Sequence, residues 1–348
     1  MKYIHTLTGL RGLAALIVFI SHSANESMLP AALGLGFGQV GVMIFFVLSG
    51  FLISHLYVKE DFNSENVKRY FFARVARIFP LYLLLLFLSL LISQYIYPEF
   101  FYHFSGFPEF LRSLLFINAP FAFWTIPVEV QFYITFLGFW YLYKKYANPY
   151  VLALFIVITL IPSFLIYLKF QETPNIVSLY SYAFYIGVIT ALIQKKIRDN
   201  KLVIKVASIA GYPLIFFIFV NLPILRQEFG LIYSEYFYFR TWGDPIIWVS
   251  VYSLFICAVV DSKSLSFLKT KFFIYLGKIS YGFYLMHYPV IMCFKGLEIS
   301  PLSQCISAFI VTITIAHISY HYFERPVGRL IRNYPTAKQA LRAQSEKS

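Results

Sequence analysis

The chain has 348 residues, 59% of them hydrophobic and 13% charged, with a formal net charge of +13 and a mean hydropathy of +0.69. An ordinary soluble domain is about a quarter charged, so this composition excludes a soluble globular enzyme and indicates a polytopic membrane protein. The three cysteines, Cys257, Cys293 and Cys305, make no even or regularly spaced set and point to neither a disulfide framework nor a metal site.

Apolar stretches of the length needed to span a bilayer lie near 7–26, 38–58, 78–97, 122–143, 150–168, 177–194, 203–220, 242–260, 272–294 and 302–323. No polar stretch between them is long enough for a soluble domain. The expected fold is therefore all-α: one integral membrane domain, 1–331, of about ten transmembrane helices, with a short basic tail, 332–348. With ten spans, 24 of the Lys and Arg residues fall on the side of the N terminus and 5 on the other. By the positive-inside rule both termini are then cytoplasmic. The net positive charge reads as topology, not as a nucleic-acid surface. The opening Lys and apolar run resemble a secretory signal, but Arg11 interrupts the apolar region and cleavage would break the charge alternation.

The first span contains "RGLAALIVFISH" (11–22). Arg11 and His22 are eleven residues apart, which puts them within about 20° of one helix face and about 16 Å apart along the axis. One face thus carries a permanent cation near the inside and a titratable base nearer the outside. Snorkelling of Arg11 to lipid phosphate, with His22 bonded to a backbone carbonyl, would explain the same pattern.

Next, "RYFFARVARIFPLY" (69–82) gathers Arg69, Arg74 and Arg77 beside Lys68. Arg74 and Arg77 are neighbours if helical and suit bidentate capture of phosphate; ordinary positive-inside charge is the plainer reading. "WTIPVEVQFY" (124–133) holds Glu129, the only carboxylate deep in an expected span. "GKISYGFYLMHYPVI" (277–291) holds His287. Glu129, His22 and His287 fall at similar depths below the outer surface. They suggest either a shared cavity with a general base or a structural polar clamp between helices.

These motifs resemble the bacterial acyltransferase-3 family of integral membrane acyltransferases. The resemblance rests on "LTGLRGLAALIVFISH" (7–22), "GVMIFFVLSGFLI" (41–53), "ARVARIFPLY" (73–82), "WTIPVEVQFY", "ISYGFYLMHYPV" (279–290) and "YFERPVGRLI" (322–331), six elements in order over nearly the whole chain. Family members often carry an acid after the Gly-Val of the second element, where this chain has Met43. The resemblance implies a stand-alone form without an extracellular esterase-like domain, in the bacterial inner membrane. It implies transfer of an acyl group, commonly acetyl, from cytoplasmic acyl-CoA to a hydroxyl of an envelope glycan or glycolipid, with lipopolysaccharide O-antigen as the expected acceptor. Acyl-CoA is then a donor substrate, and no permanently bound cofactor is expected. His22 becomes the expected catalytic base, and Arg11, Arg74 and Arg77 the donor-recognition residues.

On this reading Glu129 orients or charge-balances His22. Ser49, Trp124, Tyr133, Tyr281 and His287 are candidates for lining the cavity. The aromatic segments 98–121 and 221–241, with Phe100, Phe101, Tyr102, Tyr233, Tyr236 and Tyr238, can stack on sugars or anchor at the interface. A transporter or flippase for a phosphate-linked lipid or sugar is the main rival reading, although the paired, interrupted spans of internal repeats are not visible. A structural partner in an envelope complex is the other.

Overall fold

The computed structural model describes residues 4–98, 100–104, 106–170, 177–220, 241–242 and 244–334. Tyr233, Tyr236 and Tyr238, and the tail from residue 335 onward, lie outside the described residues. The described chain is helical, with short 3-10 and π turns and no strand. The helices are α1 (His5–Asn25), α2 (Gly38–Tyr57), α3 (Ser64–Leu91), α4 (Phe107–Leu114), α5 (Thr125–Tyr146), α6 (Pro149–Phe170), α7 (Val177–Asp199), α8 (Lys201–Val220), α9 (Pro245–Val259), α10 (Lys271–Phe294) and α11 (Pro301–Ser319). Each of the ten expected apolar stretches coincides with one of these, and α4 is the additional short helix. Among the described residues six helices are long and apolar enough to cross a membrane, and a seventh if α9 and the bent turn after it count as one span. The chain is thus a polytopic helical membrane protein.

Local chemistry sets the ends. The Asn63 side chain accepts from Asn66 N and caps α3. Asp244 caps α9 through Ile246 N and Ile247 N, with Pro245 in the first turn. α3 begins fourteen residues before the expected span at 78, because the basic, aromatic stretch 64–77 is already helical. Arg74 and Arg77 therefore sit on one continuous helix.

The chain divides into two compact units. One comprises residues 1–55 and 180–316, the other residues 56–179 and 317–348.

In the first unit α1 and α10 form the most intimate pair. Gly277 backs onto Thr8, where an added Cβ would lie 1.9 Å from the Thr8 carbonyl oxygen, and one at Gly12 would lie 2.4 Å from that of Phe273. Only glycine permits this approach, and small residues at helix crossings are how membrane helices gain van der Waals contact. Residues 8 and 12 meet 277 and 273, while 22 and 26 meet 287 and 295, so the two helices run parallel. That matches expected spans 1 and 9, which cross in the same direction. Gly41 lies against Ala14 and Gly38 against Ser21, so α2 runs antiparallel to α1. α7 packs on α2 through stacked Phe46 and Phe184, 4.5 Å between ring centroids.

In the second unit tyrosine hydroxyls tie the helices to backbone. Tyr82 of α3 donates to Ser113 O at 2.8 Å, and Tyr70 donates to Tyr133 O of α5 at 2.8 Å. Trp140 Nε1 donates to Glu60 O at 3.0 Å. Each of these removes a buried polar group that would be costly to leave unpaired.

Candidate functional site

The expected site residues divide between the units. Arg11, His22, Ser49, Tyr281 and His287 lie in the first, and Arg74, Arg77, Trp124, Glu129 and Tyr133 in the second. Each set has its own chemistry.

In the first unit α1 delivers a half-buried His22 to a fully buried His287 on α10, with ring centroids 5.1 Å apart. The edge of Tyr288 meets His22 at 4.9 Å. Tyr284 lies 5.6 Å from His287, with Phe45 of α2 at 6.1 Å from Tyr284. His287 Nδ1 is hydrogen-bonded to the carbonyl of Tyr284. A carbonyl can only accept, so Nδ1 carries the proton. In the neutral ring that leaves Nε2 as the acceptor nitrogen, and it is buried without a partner. Two imidazoles thus meet in an apolar, aromatic setting, one of them presenting a bare nitrogen. Arg11 is half-buried in the N-terminal half of α1, and Ser49 and Tyr281 are buried on α2 and α10.

One turn beyond His22, at the end of α1, Glu26 accepts from the Tyr288 hydroxyl and forms an ion pair with Lys295 at 2.5 Å. Glu26 is the last residue of the first expected span, 7–26, and is not among the expected site residues. The available signal was its spacing of four from His22, which places the two on one helix face.

In the second unit the Arg74 guanidinium sits among three tyrosine rings. Its central carbon lies 5.8 Å from the Tyr57 ring centroid, 5.9 Å from that of Tyr70 and 5.5 Å from that of Tyr133. Cation–π attraction holds a desolvated guanidinium well. Tyr133 donates to Glu129 Oε1 at 2.6 Å, and that carboxylate acts electrostatically on Arg74. Arg74 Nε is buried without a hydrogen-bond partner, so the cation keeps an unused donor. Arg77, one turn on, faces the Glu324 carboxylate, which also accepts from Ser319 Oγ at 3.0 Å. Trp124 is buried in the turn that leads into α5. Tyr57 and Tyr70 were not expected; they read as ordinary aromatics until the fold brings them to Arg74.

The expected pairing of His22 with Glu129 joins residues of different units. Within its own unit Glu129 is bonded to Tyr133, and within its own unit His22 has Glu26 as its neighbouring carboxylate. Met43, where the family often has an acid, is completely buried on α2. Among the described residues no group of three or more His, Cys, Asp or Glu side chains is placed to hold a metal ion.

The first unit can therefore move a proton, and the second can hold an anion. An acyltransferase domain model of the acyltransferase-3 type matches residues 4–321. The chain is 26% identical over 367 residues to an O-acetyltransferase, OatA, of Staphylococcus aureus, covering 94% of this chain and 58% of that protein. It is also 26% identical to a peptidoglycan O-acetyltransferase, OatA, of Listeria monocytogenes (94% and 56%) and to a putative peptidoglycan O-acetyltransferase, YrhL, of Bacillus subtilis (94% and 55%). The chain thus spans little more than half the length of these relatives. No solved structure matches it. Extending from residue 4 to residue 321 and taking in both the histidine pair and the arginine cluster, the match establishes that the chain belongs to the acyltransferase-3 family.

Proposed function

We propose that the protein transfers an acyl group, acetyl by analogy with its relatives' names, from acyl-CoA to a hydroxyl of a cell-envelope glycan at the cytoplasmic membrane. The observation that carries this is the histidine pair, His22 with His287, inside an acyltransferase domain. Acyl transfer to a hydroxyl needs a base at the attacking oxygen, and imidazole is the usual one.

His22 takes the proton of the acceptor hydroxyl as its oxygen attacks the thioester carbonyl. The carbon–sulfur bond breaks, and the leaving CoA thiolate takes that proton back from His22. The bare Nε2 of His287 accepts a hydrogen bond in the same apolar setting and helps orient the polar partner. Arg74 and Arg77 hold the donor's phosphates; Arg74, set among tyrosine rings, has a buried Nε donor without a partner. Glu129 and Tyr133 set the charge and position of Arg74, and Arg11 is a further contact for the donor.

The relatives' names favour peptidoglycan as acceptor; lipopolysaccharide O-antigen, the expectation from the sequence, is the second candidate. The test uses the purified protein in lipid nanodiscs with radiolabelled acetyl-CoA and, separately, peptidoglycan fragments and a lipopolysaccharide extract. Release of CoA with base-labile label on one of the two supports the proposal and names the acceptor. Binding or movement of a glycan without CoA release would instead favour the transporter reading.

A further inference from the structure

We propose that Glu26 is a positioning residue for His22, supplying the counter-charge when the imidazole takes up a proton. The inference rests on the reading of His22 as the base.

Glu26 stands where a helix does not favour it. A carboxylate at a helix C-terminus faces the negative end of the helix dipole, an unfavourable location. Glu26 caps the end of α1 nonetheless. Helix stability does not explain it.

Its partners hold it in one orientation. Tyr288 donates to one carboxylate oxygen and Lys295 binds the other. Both come from the far end of the sequence, and together they fix a short side chain. The Glu26 side chain is only 11% exposed, whereas that of Lys295 is 50% exposed. The pair is therefore built from the protein side outward: a sheltered anion held by a solvated cation.

The anion also faces the base. Glu26 lies four residues after His22, on the same helix face, and interacts electrostatically with it. The ring of Tyr288, whose hydroxyl holds the carboxylate, packs edge-on against His22 at 4.9 Å. One tyrosine thus touches both the base and its counter-ion. An imidazolium formed in an apolar, aromatic setting is costly without an anion nearby. Glu26 provides that anion without being the proton acceptor itself.

The experiment compares wild type with Glu26→Gln, Glu26→Asp, the exchange Glu26→Lys with Lys295→Glu, and His22→Ala. All are measured in nanodiscs with acetyl-CoA and whichever of the two glycans the wild type acetylates. Glu26→Gln keeps an acceptor for Tyr288 and loses the charge together with the Lys295 ion pair, which the exchanged protein restores in reverse. Loss of one charge-assisted contact predicts a fall in kcat of about 10- to 100-fold, with KM for acetyl-CoA within about twofold. Glu26→Asp restores part of the loss. The charge exchange restores the ion pair but puts a cation beside His22, so it stays slow. Recovery of wild-type kcat in the exchanged protein would overturn the inference, because a bond that only ties two helix ends together is indifferent to its polarity. A dead His22→Ala beside a normal Glu26→Gln overturns the inference alone. A His22→Ala protein with normal turnover overturns the reading beneath it as well.

Discussion

The two units carry polar sites of opposite design. Around His22 and His287 the shell is aromatic, a single carboxylate stands one turn away, and the helices that present them touch through glycine. Around Arg74 a permanent cation is retained inside the unit by three tyrosine rings and a nearby carboxylate. A group that must gain and lose a proton needs an environment in which neither state is locked, with one anion close by. A group that must bind a passing anion needs the reverse: a charge that never leaves and a bonding capacity left unspent. On the proposed function, the units differ because proton transfer and anion binding ask different things of a desolvated side chain.

The sharpest way to break that comparison is at the base. His22→Ala is expected to lower turnover by about a thousandfold, within the range general-base catalysis supplies, while acetyl-CoA binding by calorimetry stays near wild type. Loss of binding along with turnover would mean that the histidine site and the anion site are not separable. Gly277→Ala comes next. Its Cβ would lie 1.9 Å from the Thr8 carbonyl oxygen, a backbone atom that cannot move aside cheaply. We expect destabilisation of about 3 kcal/mol or more and a fall in extractable folded protein, read by the thermal midpoint on size-exclusion. A stable Gly277→Ala protein would show that α1 and α10 do not need this contact.

A smaller effect is expected at the anion site. Arg74→Ala should weaken acetyl-CoA binding by about 10- to 100-fold, the worth of a charge-assisted hydrogen bond. Arg74→Lys should recover only part of that, because an ammonium loses the planar fork and its stacking on the tyrosine rings. Equal affinities in wild type and both variants would place the donor elsewhere and leave the tyrosine cluster a packing feature.

Much of this was legible before the fold was known, and for a physical reason. A bilayer demands long apolar helices and penalises every buried charge, so all ten apolar stretches appear as helices. His22, Glu129 and His287 stood out because each breaks an apolar run, and Arg74 because Arg77 follows it by three at the edge of a span. What stayed hidden depends on distance in sequence. Glu26 looked like a boundary residue, because Tyr288 and Lys295, which give it meaning, are 262 and 269 residues away. Tyr57 and Tyr70 were two of 28 tyrosines, and no local pattern marks the two that meet Arg74. Depth grouped Glu129 with His22 and His287 in the sequence, and the three divide between the two compact units.

Glu129 offers the finest test of the comparison. If it serves the base, as its depth in the sequence suggested, Glu129→Gln should lower turnover sharply and leave donor affinity alone. If it serves Arg74, the outcome differs in sign. The amide oxygen of glutamine still accepts from Tyr133, so the cluster keeps its shape. The negative charge near the guanidinium is gone, and with it a repulsion toward incoming phosphate. A charge pair weakened by protein and solvent screening is worth on the order of 1 kcal/mol. We therefore expect Glu129→Gln to bind acetyl-CoA about fivefold more tightly and to turn over within a few-fold of wild type. The measurement is a calorimetric affinity beside a CoA-release rate on the same preparation. Tighter binding would assign Glu129 to the anion site, where it tempers the cation so that product CoA can leave. Unchanged binding with a collapse in turnover would return it to the histidines.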